Sequence, residues 1–402
     1  MEKQKTKIAI VCGHFMPEIG YQEVAIAKTL VRLGCQVRVF TSTKVSPSKK
    51  KIINKRYTAG CEEFYDGRYS IIRLKSVLSL GAIIYPVGLE PAFRSFDPDI
   101  VFVIGVGKFF PLAIFYGSLR NSRKIVTFFG DNKDFYDWRG LSNAFKSTRV
   151  YIIKYLFKKW IYRIAINRSD LLVLYTPDTE SILNGYCSRV SKNNLAKKKY
   201  VSSLGFDQQE YFYSLDERKK WRDYYHAEAD EIFFITSTRI DSRKRIEKIL
   251  SALDNLRGDG FKIRYILIGF CNDTYAQILK MFIAKLRFPD MVISLPVMNT
   301  EMIRQHYNAA DIGIWMKAAI SVQQAMGTGL QVALPSKQNV NHLVKTDLNG
   351  WFFSESELYE ILKEILTNTN WREKREKRVH ISDLNKSLFS YDKILADILG
   401  KI

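Results

Sequence analysis

Short apolar runs alternate with amphipathic, helix-length stretches along nearly the whole chain, and this alternation restricts the possible folds more than any other feature. The runs KIAIVCG, QVRVFTS, DIVFVIG, KIVTFFG and DLLVLYT are short and rich in Val, Ile, Leu and Phe. Strands that are buried on both faces have this composition. Because helix-like stretches separate the runs, the pattern predicts a parallel α/β sheet.

The same pattern starts again after about residue 205, in the runs EIFFITST, YILIG, VISLPV and DIGIWM. A chain of 402 residues also suits two domains better than one core. We predict an α/β protein with two Rossmann-like, doubly wound domains, residues 1–205 and 206–380, followed by a C-terminal helix in 381–402 that packs back on the N-terminal domain. Ligands of such folds bind at the carboxyl ends of the strands, so we expect the two sheets to face a cleft.

The chain is strongly basic, with 62 Lys and Arg against 41 Asp and Glu and a formal net charge of +21. This balance favours an anionic partner: nucleic acid, a phosphorylated substrate or an acidic membrane face. The aromatic-rich signatures of single-strand binding are not evident, so nucleic acid is not the expected partner.

The cysteines and the apolar segments bear on the compartment. Five widely spaced cysteines without metal-ligand spacing are expected to be free thiols in a reducing environment. The N-terminal segment lacks a signal-peptide pattern, and the longest apolar region, residues 99–120, is interrupted by Lys108 and Pro111. We therefore expect a cytoplasmic protein, attached at most to a membrane surface.

The segment TSTRIDSRKRIEK places two cations around the end of a predicted strand. Arg239 follows the strand, and Lys244 lies at the start of the next helix. A helix N-terminus favours anions, and a guanidinium and an ammonium together can hold a diphosphate. The alternative is a solvated basic loop, which is common in a chain this basic.

The loop GHFMPEIGYQE links the first strand to the first helix. Its glycines, Gly13 and Gly20, allow a ligand to approach the backbone near a helix N-terminus, although glycines between a strand and a helix are often only turns. His14 in this loop can face a ligand, or it can be structural beside Phe15.

One helix, RVYIIKYLFKKWIYRIA, combines an apolar face with a face of tyrosine and lysine. The apolar face consists of Val150, Ile153, Phe157, Ile161 and Ile164. The opposite face consists of Tyr151, Tyr155, Lys158, Lys159 and Tyr162. This second face suits an anionic membrane surface, or it is simply the wet back of a helix packed on the first sheet.

The order of these motifs resembles GT-B glycosyltransferases, with retaining family 4 as the nearest match. The segments that carry the resemblance are FMPEIGYQEVAIAKTLVRLGCQVRVFTS, SSLGFDQQEYF, STRIDSRKRIEKIL, ILIGF, NTEMIRQHYNAADIGIW and QQAMGTGLQVAL. They extend over nearly the whole chain. The resemblance implies a nucleotide-sugar donor, held by the C-terminal domain, and an acceptor held by the N-terminal domain.

The resemblance implies roles for single residues. Arg239 and Lys244 match the cations that grip the donor diphosphate. Gly20 lies in the N-terminal glycine loop, where the usual second glycine is Tyr21. Gly269 matches the glycine after the second strand of the donor domain. The backbone of residues 318–322, which includes Ser321 and Val322, lies where the family presents amides to the phosphate.

Two departures from the family pattern stand out. The family has two glutamates at a fixed spacing; here Gln324 stands in the second, ribose-binding position, and Met316 falls in the first. An amide can still accept a hydrogen bond from a ribose hydroxyl. Many relatives also have a histidine after the strand near residue 128. Here that stretch reads TFFGDNKDFYD.

The polar groups of that stretch are Asp131, Asn132 and Asp134. They are candidates for a catalytic or acceptor-orienting role, or they form a polar turn with a helix cap. The Asp-x-Asp-like FDPD at residues 96–99 contains a proline and is expected to be an ordinary turn, so we expect no metal and no cofactor.

The sequence thus leads to a function hypothesis. We predict a retaining, metal-independent glycosyltransferase that moves a sugar from a nucleotide sugar to a lipid-linked or oligosaccharide acceptor in capsule or O-antigen synthesis. Its expected location is the inner face of the plasma membrane, as a peripheral protein. The alternative is a glycosyltransferase-like binding or scaffold subunit that has lost catalysis.

Overall fold

The computed structural model describes residues 5–19, 21–45, 57–60, 62–65, 68–80, 83–106, 112–115, 123–130, 148–337, 339–345, 348–368 and 370–402. Within them the predicted α/β class is confirmed. The chain divides into two compact units, Met1–Ser203 with Ile394–Ile402, and Leu204–Lys393. The sequence predicted domain boundaries at 205/206 and 380/381, whereas the structure divides the chain after Ser203 and after Lys393.

The first unit is built on a sheet whose described strands run in the order β10-β9-β8-β7-β1-β2-β4-β3. The strands of this unit are β1 (Lys7–Cys12), β2 (Gln36–Ser42), β3 (Glu62–Tyr65), β4 (Tyr69–Leu74), β5 (Ser76–Leu80), β6 (Ile83–Pro86), β7 (Ile100–Ile104), β8 (Lys124–Phe129), β9 (Leu171–Leu174) and β10 (Lys199–Val201). All pairs in the large sheet are parallel except β3 with β4, and β5 pairs with β6 outside it.

Helices pack against this sheet, as its apolar strands require. They are α1 (Gln22–Arg32), α2 (Leu89–Phe96), α3 (Leu112–Phe115), α4 (Thr148–Arg168), α5 (Pro177–Tyr186) and α6 (Arg189–Lys198), with a 3-10 turn at Pro17–Ile19. The predicted strands KIAIVCG, QVRVFTS, DIVFVIG, KIVTFFG and DLLVLYT correspond to β1, β2, β7, β8 and β9. No helix within the described ranges is both long and apolar enough to cross a membrane.

The second unit has an all-parallel sheet in the order β13-β12-β11-β14-β15-β16 within the described residues. Its strands are β11 (Ile232–Ser237), β12 (Ile263–Phe270), β13 (Val292–Pro296), β14 (Ile312–Ile314), β15 (Gln331–Pro335) and β16 (Gly350–Phe353). Counted from β11, this is the order 3-2-1-4-5-6 of a doubly wound Rossmann fold.

The helices of the second unit lie between and after these strands. They are α7 (Leu215–Tyr224), α8 (Ile246–Gly258), α9 (Thr274–Ala284), α10 (Thr300–Ala309), α11 (Ile320–Gly327), α12 (Leu358–Thr367), α13 (Asn370–Glu376) and α14 (Arg378–Phe389), with 3-10 turns at Ser242–Lys244 and Pro289–Met291. The last helix, α15 (Tyr391–Lys401), contains the division between the units.

Helix α4 differs from its predicted amphipathic pattern. Ile161 is buried as expected, but Tyr162, assigned to the wet face, is buried too, so that assignment is wrong. Its ring packs against Phe129 and Tyr186 with centroid distances of 5.4 and 5.5 Å, and Lys158 lies 5.0 Å from its centroid. A tyrosine can end in a buried aromatic cluster because its ring is mostly apolar.

A buried charge network holds α10 against α7. The Asp311 carboxylate accepts from Arg218 at 2.5 Å, from Arg222 at 3.1 Å and from the backbone amide of Phe233 at 2.9 Å. Arg218 also donates to the carbonyls of residues 308–310, the last of α10 and the residue after it. Cations favour the C-terminal end of a helix, where carbonyl groups lack helical partners.

Helix α14 fixes the far end of α11. The Ser382 hydroxyl donates to the Gly327 carbonyl at 2.7 Å, and the Asn385 amide donates to the Met326 carbonyl at 2.8 Å. Arg378 is buried and donates to the carbonyls of Tyr307, Asn308, Ala310 and Thr328. The start of α11 is therefore positioned by a rigid support.

Candidate active site

The strand order of the second unit determines where its ligand site is expected. The order reverses between β11 and β14, which pair in register at Phe234 with Ile312 and at Ile235 with Gly313. In open α/β sheets ligands bind outside the carboxyl ends of the strands at this point. The segments after β11 and β14 carry Arg239, Lys244 and the start of α11, which are predicted site residues.

Arg239 lies two residues after β11, as predicted, and its side chain is 48% exposed. Its Nε donates to Asp241 at 3.3 Å, and Arg243 donates to the same carboxylate at 3.0 and 2.8 Å. Burial raises the pKa of Asp241, but the hydrogen bond and charge of Arg243, with the charges of Arg239 and Lys244, outweigh it and lower that pKa. The carboxylate therefore stays ionised and orients the guanidinium of Arg239.

Lys244 ends the 3-10 turn Ser242–Lys244, directly before the first turn of α8. The next residue, Arg245, has a left-handed backbone with φ of 50°. Its side chain pairs with Glu355, which also pairs with Lys248 at 3.4 Å and Lys337 at 3.5 Å. Glu355 thus ties the turn that carries Lys244 to the loops after β15 and β16.

Gly269, the next-to-last residue of strand β12, brings that strand close to the loop after β11. Its φ is +126°, and a Cβ built on it would lie 1.8 Å from the Thr238 carbonyl oxygen. Both the conformation and the space require glycine here. The predicted glycine therefore shapes the backbone beside Arg239.

The start of α11 offers backbone amides and one buried hydroxyl. Ala319 precedes the helix in an extended conformation and gives it no side-chain cap within the described part of the chain. Ser321 is 7% exposed, and its Oγ finds no hydrogen-bond partner among the described residues. Helix N-termini with uncapped amides bind anions, and a buried hydroxyl without a partner is unfavourable unless a ligand or water satisfies it.

Two buried aromatic residues join the end of β11 to the segment after β14. The Trp315 indole donates to the Ser237 carbonyl at 3.2 Å, and the Tyr307 hydroxyl donates to the Ser321 carbonyl at 3.2 Å. Burial raises the pKa of Tyr307, so its hydroxyl stays protonated and donates to the backbone carbonyl. The basic turn and the start of α11 are therefore anchored to the same buried cluster.

The side-chain amides of the two glutamines in α11 have different environments. Gln323 is buried, and in the orientation that satisfies both ends of its amide, its nitrogen donates to the Ala319 carbonyl at 2.9 Å. Gln324 is half-buried, whereas Met316 belongs to the hydrophobic core. No carboxylate therefore stands at either position where the resemblance implies a glutamate.

In the first unit, the loop after β1 carries the predicted residues His14, Gly20 and Tyr21. His14 is buried, and its Nδ1 lies 3.0 Å from the Lys44 carbonyl oxygen. Tyr21 is half-buried and precedes α1 in an extended conformation. Gly20 lies outside the described residues, as do Asp131, Asn132 and Asp134, so their predicted roles stay predictions.

Residues 217–381 match the family model for glycosyl transferases group 1. The matched residues lie within the second unit, so this unit is the part of the chain that is similar to group 1 glycosyl transferases. The predicted resemblance is thereby confirmed, whereas membership of family 4 stays a prediction. No curated protein is similar enough to this chain to match it.

Solved structures share the fold of this chain over nearly its full length. Sucrose-phosphate synthase from Thermosynechococcus elongatus has a TM-score of 0.72 at 14% identity, covering 98% of both chains. Anabaena HepE in complex with UDP-glucose scores 0.67 at 15% identity, covering 98% of this chain and 100% of that chain. WaaG, a glycosyltransferase involved in lipopolysaccharide biosynthesis, scores 0.66 at 16% identity, covering 97% and 99%. The predicted GT-B fold is confirmed.

Sequence reasoning missed several residues that support the candidate site. Trp315, Tyr307 and Glu355 each act through a partner that is distant in sequence. Their residue types alone indicate only core or surface. A pattern within one segment cannot reveal such pairs, because they form only when the sheet assembles.

Proposed function

We propose that this glycosyltransferase takes its sugar from a nucleotide sugar held at the carboxyl edge of the second sheet. The observation that carries the proposal is the combination of two cations, Arg239 and Lys244, with the uncapped start of α11 and its buried Ser321 hydroxyl. Guanidinium, ammonium and backbone amides are the groups that bind diphosphates. The UDP-glucose bound to HepE supports this donor class.

We further propose a retaining, metal-independent transfer. Arg239 and Lys244 neutralise the charge that grows on the departing diphosphate, a kind of stabilisation that is often the largest catalytic contribution. The departing phosphate oxygen then takes the acceptor proton on the same face. The buried Met316 and the amide of Gln324 fit a mechanism that needs no carboxylate at those positions.

The acceptor in this proposal is a lipid-linked or oligosaccharide molecule of a surface-polysaccharide pathway, bound by the first unit. The role of WaaG in lipopolysaccharide biosynthesis supports this assignment. The proposed place of action is the cytoplasmic face of the membrane, which suits a chain of net charge +21.

The donor test is a thermal-shift panel of nucleotide sugars and nucleoside diphosphates on the full chain, followed by product detection with lipid-linked acceptors. We expect one nucleotide class to raise the melting temperature and the matching sugar to be transferred. A shift without turnover on any acceptor points to the scaffold alternative. The absence of any shift would contradict the donor site.

Ser321→Ala makes this test specific to the site. If the hydroxyl serves a phosphate, the variant binds the stabilising nucleotide about tenfold more weakly, which is the effect of losing one hydrogen bond to a charged group. Its unliganded stability should be unchanged or higher, because an unpartnered buried hydroxyl is removed. Thr236→Val is the control, since Thr236 donates to the Ile314 carbonyl within the core and its loss lowers stability instead.

Membrane attachment through α4 has its own test. Among the described side chains of this helix, Leu156 and Trp160 are the exposed large apolar ones. They are 56% and 45% exposed and lie near Lys159 in the sequence. Apolar side chains next to cations suit the surface of an anionic bilayer. We expect the protein to float with phosphatidylglycerol vesicles, and the double change Leu156→Ser and Trp160→Ser to prevent it. Equal flotation of the variant contradicts this surface.

A further inference from the structure

Two buried polar side chains of the first unit lie next to each other near the carboxyl edge of its sheet. Arg73, next to last in β4, and Thr41, next to last in β2, are register partners. Partner residues of a parallel pair project from the same face of the sheet. Both side chains belong to residues with 0% exposure.

Arg73 is only partly satisfied. Its Nε lies 3.2 and 3.3 Å from the two carboxylate oxygens of Glu63, and its Nη1 donates to the Phe15 carbonyl at 3.1 Å. The guanidinium stacks 3.6 Å from the centroid of the Tyr57 ring. Its Nη2 is buried and meets no acceptor in the described ranges.

The Thr41 hydroxyl shows the same deficit. It is buried, and the described part of the chain offers it no hydrogen-bond partner. An unsatisfied buried polar group is unfavourable, and a charged one more so, so two of them on register-partner residues require an explanation. A bound oxyanion or buried water is the kind of partner that such groups accept.

The position of the pair favours a ligand of the acceptor side. Phe15, which Arg73 holds, belongs to the loop that follows β1, at the point where the order of the first sheet reverses between β1 and β7. Ligands of doubly wound sheets bind outside the strands there. The same loop is tied down by Ser42, whose hydroxyl donates to the Gly13 carbonyl at 2.6 Å, and by the Tyr57 hydroxyl, which donates to Glu18 at 2.8 Å.

We propose that Arg73 and Thr41 form an oxyanion subsite of the first unit, which takes a phosphate group of the acceptor. This inference rests on the proposed acceptor role of that unit. The free edge of the guanidinium donates to one phosphate oxygen and the threonine hydroxyl donates to another, which gives charge-assisted bonds. Because the guanidinium is fully covered, the phosphate enters only after a local rearrangement around it.

Glu63 does not prevent this binding. It lies on the antiparallel edge strand β3, and its side chain is 38% exposed, so water solvates its carboxylate when the phosphate takes part of Arg73. Glu18, the other acid of the cluster, is engaged by the Tyr57 hydroxyl. The fully buried cation therefore gains a second anionic partner without leaving a buried acid unpaired.

The test uses inorganic phosphate and the full chain with the donor cations removed by Arg239→Ala and Lys244→Ala. In this background we expect calorimetry to detect phosphate binding. Thr41→Val should weaken it about tenfold, the effect of one hydrogen bond to a charged group, and Arg73→Met should abolish it. Thr41→Val should also keep or raise the melting temperature, because it removes the unpartnered hydroxyl.

Two matched controls separate binding from folding. Thr127 is equally buried in β8 of the same sheet, but its hydroxyl is paired with Ser169 at 2.6 Å. Thr127→Val should therefore lower stability and leave phosphate affinity unchanged. Arg38→Met removes another cation of the sheet, one paired with Glu62, and should also leave the affinity unchanged.

The source of the phosphate is resolved by two further probes in the same background. Glucose 6-phosphate represents a soluble phosphate, and phosphatidylcholine vesicles containing phosphatidic acid represent a lipid headgroup. Binding of either probe that depends on Arg73 supports the subsite and identifies the source of the phosphate. Two results would overturn the subsite: no phosphate binding at all, or binding by the Thr41→Val and Arg73→Met variants that is as strong as in the background chain. A buried water would then be the partner of the two side chains. Failure of nucleotide binding by the wild-type chain would refute the donor proposal but leave this result unaffected.

Discussion

Lys244→Ala is expected to lower kcat/KM for release of the nucleoside diphosphate from the donor by about 100- to 1,000-fold, the range seen when one stabilising donor is removed from a reacting oxyanion. The lysine ends a 3-10 turn directly before α8, and Glu355 and Asp241 fix that turn from both sides. An alanine cannot replace a charge that acts on the growing negative charge of the diphosphate. Arg239→Ala should have an effect of the same order.

Steady-state kinetics with the nucleotide sugar identified by thermal shift checks this prediction. Lys219→Ala is the control, because Lys219 is an exposed residue of α7 in the same unit and should retain full activity. The melting temperature of each variant shows whether the loss is local. Full activity in both the Arg239 and Lys244 variants would refute the assignment of the diphosphate site.

Asp311→Asn is expected to destabilise the second unit by about 3–5 kcal/mol, because it leaves two largely buried arginines without their counter-charge. Arg218 and Arg222 both donate to this fully buried carboxylate, and the amide of the variant faces them with a donor of its own. Hydrogen exchange of the β11 amides in the full chain measures the loss within the second unit. Asp290→Asn is the control: its pair with Arg257 is exposed and should change stability by less than about 1 kcal/mol.

The same residue makes a pH-dependent contribution. Burial raises the pKa of Asp311, but the charges of Arg218 and Arg222 and the amide of Phe233 outweigh it, so the folded pKa lies below the ordinary value. A lowered folded pKa gives stability that is present above the unfolded pKa of about 4 and is lost as the pH falls through the folded value. The difference between the wild type and Asp311→Asn should therefore shrink in acid. A difference that stays constant with pH would contradict this account.

Much of the fold follows from local patterns. Runs such as EIFFITST and DIGIWM indicate buried strands because their composition suits a sheet covered on both faces. The antiparallel edge strand β3 and its partner β4 were not predicted, since EEFY begins with two glutamates and YSIIRL carries Arg73. A buried arginine looks like a surface residue until its partners, which come from other segments, are in place.

The candidate site also has a part that local sequence patterns predict and a part that they do not. The places of Arg239, Lys244 and Gly269 at strand ends follow from strand–loop–helix patterns in single segments. The support that fixes them, such as Trp315 on Ser237 and Glu355 on Arg245, depends on contacts between segments that are far apart in sequence. The misassigned Tyr162 has the same cause, because its buried face was decided by Phe129 and Tyr186 rather than by helical periodicity.

The second unit, Leu204–Lys393, is one uninterrupted stretch of chain, whereas the first unit includes the separate segment Ile394–Ile402. For protein engineering this makes the second unit a cassette with two joints, one on each side. A chimera that exchanges the cassette has to keep Ile394–Ile402 native, because Leu395 and Ile398 are fully buried and Asp397 accepts from Tyr200 at 3.1 Å within the first unit. The second joint therefore falls inside a helix, where the transplanted and resident sequences have to share one continuous turn.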